Sequence, residues 1–192
     1  MAASLLDLLR TAVIPLPAQT PPTPPGLRAA AVLLLVDSRD ASLPVFFVLR
    51  SDRVKQHPGQ IALPGGGVES GEDVATAALR EAHEEVGLPP QSVEVLGQLP
   101  TFNTEVSLRW LTPVVGLIRS DWEVRTDGYE VAEWFWTPLA DIVAAPHTIR
   151  ELERDGRSRQ VHFFEVGDRL IWGVTGWILA QLLRRMDVGS SL

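Results

Sequence analysis

Gly66-Gly67-Val68-Glu69-Ser70-Gly71-Glu72-Asp73-Val74-Ala75-Thr76-Ala77-Ala78-Leu79-Arg80-Glu81-Ala82-His83-Glu84-Glu85-Val86-Gly87-Leu88 is the most informative segment of the chain. It sets Glu72, Arg80, Glu81, Glu84 and Glu85 on and beside a predicted helix that a glycine-rich turn feeds. On a helical wheel advancing about 100° per residue with Glu81 at zero, Glu84 falls near −60° and Glu85 near +40°. Ala82, Ala75, Val86 and Leu79 fall at roughly 100–160°, an apolar stripe for the core. Like charges whose Cβ atoms stand about 5–6 Å apart repel one another. A divalent cation among them would offset that repulsion, and carboxylate oxygens suit Mg²⁺ or Mn²⁺. A solvated acidic face with an Arg80–Glu84 pair is the competing reading of the same residues.

The full spacing decides between the two. It runs Gly66, five residues, Glu72, seven residues, then Arg80-Glu81-Ala82-His83-Glu84-Glu85-Val86-Gly87-Leu88. With ordinary residue usage, a chance match is on the order of one in 10⁹ per starting position. The segment resembles the Nudix box of the Nudix hydrolases at Gly66, Glu72, Arg80, Glu81, Glu84, Glu85, Gly87 and Leu88. Ala82 departs from it, standing where a larger aliphatic residue is expected.

The resemblance implies a metal-dependent hydrolase acting on a nucleoside diphosphate linked to another moiety. By that resemblance Glu81, Glu84 and Glu85 carry the divalent metals, Mg²⁺ or Mn²⁺, and the backbone carbonyl of Gly65 adds a ligand. Arg80 belongs with the catalytic set as the residue that orients a glutamate, and Glu72 pairs with it to hold the loop against the helix. Nudix enzymes differ in which group takes the proton from the attacking water. Glu84 and Glu81 are the first candidates, and Glu130, in Gly128-Tyr129-Glu130-Val131-Ala132-Glu133, is the candidate outside the box. A loop carboxylate in solvent is the alternative for Glu130.

The flanks resemble the coenzyme A pyrophosphatase subfamily. The stretch from Leu49 to Gly66 contains Arg50-Ser51 and then His57-Pro58-Gly59-Gln60-Ile61-Ala62-Leu63-Pro64-Gly65-Gly66, with Val54 where leucine is more usual. Glu130–Glu133 followed by Pro138-Leu139, and Ile171-Trp172-Gly173-Val174-Thr175, match as well. Arg50, Ser51, Arg53 and Lys55 are the expected substrate-binding residues, because coenzyme A carries an extra 3′-phosphate that needs cationic partners. An exposed basic turn pairing with Asp52 is the alternative. His57 is expected to be a hydrogen bonder within its loop. Phe102, Trp110, Trp134, Phe135 and Trp136 could stack an adenine, although aromatic residues on strands are usually core.

Bulk properties agree with a globular enzyme. The chain has 192 residues, 45% hydrophobic and 21% charged, with a formal net charge of −7. That length supports one domain with a sizeable core, or a domain plus a terminal extension, and the acidity argues against nonspecific nucleic-acid binding. The absence of cysteine excludes disulfides, thiolate nucleophiles and cysteine-ligated zinc. His57, His83, His147 and His162 lack a zinc spacing. The longest apolar run, Ala29–Val36, falls far short of the roughly 20 residues a membrane span needs. The amino terminus lacks a basic region before its apolar residues, so a cytoplasmic protein without a membrane partner is expected.

Ser4–Val13 reads as an amphipathic helix, and Ile14–Gly26, with six prolines, as an arm or linker. The expected organisation is therefore an N-terminal helix and arm over 1–27 and a Nudix domain over 28–192. Strands are expected at Arg28–Val36, Val45–Arg50, Gln60–Leu63, Val93–Leu99, Arg109–Ile118 and Glu133–Thr137, with a hairpin over Gln160–Val166 and Arg169–Trp172. Pro64–Gly67 reads as a turn needing φ values that glycine takes easily. Ser70 and Asp73 read as a capping box, Gly87 as the helix stop, and Gly173–Met186 as a last helix. The fold class this implies is α/β, a Nudix-type α/β/α sandwich around a mixed central sheet. The expected reaction is cleavage of coenzyme A to 4′-phosphopantetheine and adenosine 3′,5′-bisphosphate. Hydrolysis of ADP-ribose, a dinucleotide or an oxidised nucleotide, or nucleotide binding without cleavage, are the alternatives.

Overall fold

Two long strands set the frame. Arg28–Asp37 (β1) and Arg109–Ile118 (β7) run parallel in an unbroken register from Arg28↔Arg109 to Asp37↔Ile118. Both are rich in Val and Leu because both faces of this central pair are covered. The computed structural model describes residues 3–17, 22–104, 107–126, 128–154 and 156–188. Around β1 and β7 an eight-stranded mixed sheet is completed by Val45–Arg50 (β2), Ile61–Ala62 (β3), Gly65–Gly67 (β4), Val93–Gln98 (β5), Phe102–Thr104 (β6) and Val131–Thr137 (β8). Its main path is β3-β2-β1-β7-β5, with β4 beside β1, β6 beside β7 and β8 beside β2.

Side chains alternate across β1, and the alternation builds two cores. Ala31, Leu33 and Leu35 face the helix Val74–Val86 (α2), together with Phe46, Val48 and Val114. Ala30, Leu34 and Val36 face the opposite way, toward the helices Leu5–Ala12 (α1) and Gly173–Arg185 (α4). This is the expected α/β/α sandwich. Each fully buried Leu, Val or Phe contributes roughly 1.5–3 kcal/mol relative to exposure.

The N-terminal segment is stitched to this core. Ser4 and Asp7 form a reciprocal capping box at the start of α1, and Leu9 and Ala12 are fully buried. Ile14 then bridges Gln98 with backbone hydrogen bonds of 2.9 Å in both directions. The arm passes so close to β5 that a Cβ at Gly97 would strike the Ile14 carbonyl. Residues 18–21 of the expected arm lie outside the described residues.

Several elements differ from the sequence expectation. Leu139–Ala144 forms a short helix (α3), and His147–Arg154 (β9) pairs with Arg157–Val166 (β10), which continues into Arg169–Trp172 (β11) as a separate three-stranded sheet. The predicted hairpin is thus the second half of a larger unit. Ser70 and Asp73 do not make a capping box. Asp73 is itself the N-cap of α2, accepting from the Ala75 and Thr76 N–H groups at 2.9 Å each. Glu72 closes the preceding turn instead, accepting from Glu69 N–H. Gly87 ends α2 in the left-handed region at φ 70°, as expected.

Candidate active site

Pro64–Gly67 is not the turn the glycines suggested. Gly65–Gly67 is the strand β4, antiparallel to β1 in the register Ala30↔Gly67, Ala31↔Gly66, Val32↔Gly65. Of the three, only Gly65 has positive φ, at 154°. The glycines serve close approach: a Cβ at Gly65 would run into the Ala31 carbonyl, and one at Gly66 would land on the Glu81 carboxyl group. A strand without side chains lets α2 approach with its acidic side inward.

That approach rotates α2 relative to the wheel. Ala77 and Ala78 are fully buried and Leu79 is only partly so. Glu85 is 9% exposed, although it sits on the acidic face. Glu81 is half-buried, and Glu84 alone of the three turns outward, with its side chain 57% exposed.

Arg80 organises the acids on the outer side. Its Nε and Nη2 donate to both oxygens of Glu72 at 3.0 and 3.2 Å. Nη2 also donates to the Gly67 carbonyl at 2.8 Å, and Nη1 to Glu81 at 3.0 Å and Glu84 at 3.3 Å. The Glu72 carboxyl is held below the usual range by this guanidinium. The expected pairing of Arg80 with Glu72, and its contact with the box glutamates, are both present.

On the inner side, the Gly65 N–H donates to Glu85 Oε2 at 3.1 Å. Burial pushes the Glu85 carboxyl from 4.5 up to about 8, opposed by that N–H and by Arg50, and reinforced by Glu130 and Glu81. Burial also raises Glu81, against the lowering contact with Arg80, with Glu84 and Glu130 adding to the rise. Both buried acids thus feel the charge of Glu130, which comes from the loop before β8. That loop is tied to the end of β2 by a hydrogen bond from Ser51 N–H to the Glu130 carbonyl, 2.8 Å.

The donor set fits a hard divalent cation. It consists of carboxylate oxygens whose burial raises the cost of their charge, next to a glycine strand with open backbone. Glu81 and Glu85 are the acids beside the glycine strand, Glu130 from outside the box lines the same cleft and acts on both through its charge, and the Gly65 carbonyl belongs to that strand. Glu84 is committed to Arg80 here. Among the described residues no group of three or more acid or imidazole side chains is arranged, as it stands, to hold an ion.

The acids open into a cleft of about 740 Å³. Arg50, His57, Gly65, Gly66, Glu81, Glu85 and Glu130 line it. Phe102, Leu111, Trp172, Val174, Trp177 and Ile178 supply its apolar wall, and Arg109 and Arg159 line it as well. Thr175 anchors α4 beside this wall, its hydroxyl donating to the Ile61 carbonyl at 3.0 Å.

The predicted basic cluster separates in space. Arg50 lines the cleft, but Ser51 is buried and its hydroxyl accepts from Arg53 N–H. Arg53 is exposed and reaches the Gly128 carbonyl at 3.4 Å, and Lys55 is exposed; neither lines the cleft. Of the aromatic candidates only Phe102 lines it. Phe135 stacks on Phe47, Trp136 packs edge-on against Phe46, and Trp134 is 43% exposed. The sequence reading did not single out Arg109 or Trp177; only the β6–β7 register and the position of α4 bring them to the site.

Strand order, the glycine strand and the acidic helix define an α/β/α sandwich with a carboxylate-bearing helix at its cleft. A family profile described as NUDIX domain matches residues 26–156. The chain belongs to the Nudix hydrolase family. It is 35% identical over 176 residues to a protein of Photorhabdus laumondii subsp. laumondii named "Uncharacterized Nudix hydrolase NudL", covering 88% of this chain and 93% of that one. A protein of the same name in Citrobacter koseri is 37% identical over 164 residues, 84% of each chain. Among solved structures, a MutT/nudix family protein from Enterococcus faecalis aligns with a TM-score of 0.52 at 18% identity, covering 88% of this chain and 65% of that one. The C. elegans Ap4A hydrolase in a binary complex aligns with a TM-score of 0.50 at 21% identity, covering 60% and 83%. The chain is therefore a hydrolase of a nucleoside diphosphate derivative, in a family that generally uses divalent metal ions such as Mg²⁺ or Mn²⁺. No helix among the described residues is long and apolar enough to cross a membrane.

Proposed function

We propose that this enzyme hydrolyses the diphosphate bond of coenzyme A or its derivatives, giving 4′-phosphopantetheine and adenosine 3′,5′-bisphosphate. The observation that carries the reading is the approach of Glu81 and Glu85 to the Gly65–Gly66 strand, in a cleft that Glu130 and a set of apolar side chains also line. The subfamily-like residues Arg50, His57, Gln60, Trp172 and Thr175 all line that same cleft, which supports the substrate.

Glu81 and Glu85 would hold the divalent cation, with the Gly65 carbonyl and, once released from Arg80, Glu84. The bound ion would neutralise the diphosphate and lower the pKa of a water. The chain's own residues do the rest. Arg80 fixes Glu81 and braces the helix against the Gly67 carbonyl. Glu130 and Glu81 face the cleft as candidates to take the proton of the attacking water. The apolar wall keeps bulk water from the bound substrate.

Mass spectrometry of products from Mg²⁺- or Mn²⁺-supplemented enzyme tests the reading, with coenzyme A, 3′-dephospho-coenzyme A and ADP-ribose as substrates. Release of the two named products from coenzyme A is expected. Turnover of ADP-ribose with coenzyme A recovered intact would assign a different diphosphate. Recovery of every substrate unchanged would leave a nucleotide-binding domain.

A further inference from the structure

We propose that Arg109, on the floor of the cleft beside Phe102, is the residue that reads the 3′-phosphate of the substrate's adenosine, in place of the basic loop. The inference rests on the coenzyme A reading and deepens it.

Strand register places the residue. Thr104 pairs with Arg109 and Phe102 with Leu111 across β6 and β7, so all four share one face of the sheet. Phe102 and Arg109 are then diagonal cross-strand neighbours, roughly 7–8 Å apart and within reach of long side chains. The Thr104 hydroxyl accepts from the Arg109 N–H at 3.0 Å and fixes the strand start. From there the guanidinium crosses β1 to the glycine strand, where Nη1 lies 3.6 Å from the position a Gly67 Cβ would occupy.

Charge gives the reason to look for a ligand. Arg10, Arg39, Arg80, Arg119, Arg125 and Arg169 each pair with a carboxylate. Arg109 is half-buried in the same cleft, and its guanidinium has no carboxylate partner among the described residues. Arg50 and Arg185 are half-buried without a carboxylate ion pair as well, but they donate to the carbonyls of Gln56 and Ala12, whereas the Arg109 guanidinium makes no hydrogen bond among the described residues. A half-buried guanidinium with unused N–H donors offers a phosphate a bidentate, charge-assisted contact.

Alternation along β4 says which phosphate. A side chain at Gly66 would point at the Glu81 carboxyl group, whereas one at Gly67 would point toward Arg109. The acids and the guanidinium therefore lie on opposite faces of the glycine strand. The anion that meets Arg109 is then a second group on the substrate, separate from the diphosphate at the acids. Phe102 and Trp177 pack with tilted rings, 3.8 Å between centroids and 32° between planes, and line the same cleft as an aromatic surface for the adjoining base. Arg53 and Lys55 lie outside the cleft.

The test compares coenzyme A with 3′-dephospho-coenzyme A in Arg109→Gln, Arg109→Lys and the double variant Arg53→Gln/Lys55→Gln. A charge-assisted contact of this kind is worth about 10- to 100-fold. The preference for coenzyme A in kcat/KM should fall by that factor in Arg109→Gln, through KM, and in part in Arg109→Lys, which keeps the charge but not the fork. The double variant should keep the preference. Metal-free calorimetry with adenosine 3′,5′-bisphosphate and AMP gives a readout independent of turnover: wild type should favour the bisphosphate, and Arg109→Gln should bind the two alike. An unchanged preference in a folded Arg109 variant would overturn the proposal. Failure of wild type to cleave coenzyme A would instead remove the substrate reading, and the bisphosphate comparison would still decide the role of Arg109.

Discussion

Gly65 N–H donates to Glu85 Oε2 across 3.1 Å, joining the last acid of α2 to the first residue of the glycine strand. This bond holds the Glu85 carboxyl group in a place where burial makes its charge costly and raises its pKa to about 8. The relationship separates stability from function at one residue. Glu85→Gln keeps an acceptor for the Gly65 N–H while removing an ionisable group from a buried position. Metal-free protein should melt at the same or a higher temperature in the variant, while turnover falls about 10²–10³-fold, the scale for losing a major electrostatic contributor. Thermal melts in chelator and steady-state rates check both signs.

Gly66→Ala places a methyl group where the Glu81 carboxyl group lies. Because the neighbour is the far end of a flexible side chain, the fold should survive with a loss of about 1–3 kcal/mol. Divalent-ion affinity and kcat should drop together, since Glu81 must swing away. Denaturant melts and metal titration of the same preparation check this.

Arg80→Lys tests whether the guanidinium's geometry matters or only its charge. A lysine cannot span both Glu72 oxygens, the Gly67 carbonyl and Glu81 at once. Turnover should fall about 10–100-fold, as when the partners that orient metal ligands are removed, with little change in circular dichroism. Near-wild-type rates would show that charge alone suffices.

The sequence exposed α2 clearly because each signal there is local: Asp73 before it, Gly87 and Pro89-Pro90 after it, and the acids on one arc. Legibility failed where contacts across the chain decide the outcome. Three glycines carry no strand preference, so only pairing with β1 makes Gly65–Gly67 a strand. In β9, the spacing of Ile149 and Leu152 mimics a helical period, and an exposed edge strand has no alternating core face to reveal it. Arg50, Arg53 and Lys55 are neighbours in sequence, but the loop turns the last two outward. Arg109 enters the site only through its register with Thr104.

A pH dependence of stability follows from His147 and His162, which are in contact at 2.9 Å between Nε2 and Nδ1. Burial lowers both below 6.5, and His147 and Arg184 lower His162 further. With folded-state values depressed, the unfolded chain binds protons first as pH falls. The stability is therefore complete above pH 6.5 and is lost as pH falls from there through the lowered folded values. Between pH 7 and pH 5 (about that window, from the ordinary histidine value) the melting temperature of His162→Gln should fall less than that of wild type, the raised Glu85 acting in the opposite direction equally in both.

Manganese binding to the substrate-free enzyme tests the central claim most directly, that Glu81 and Glu85 grip a divalent cation at the glycine strand. Electron paramagnetic resonance titration of Mn²⁺ should show binding by wild type that weakens at least roughly tenfold in Glu81→Gln and in Glu85→Gln, with both variants folded. Equal Mn²⁺ affinity in wild type and in both variants would contradict the account.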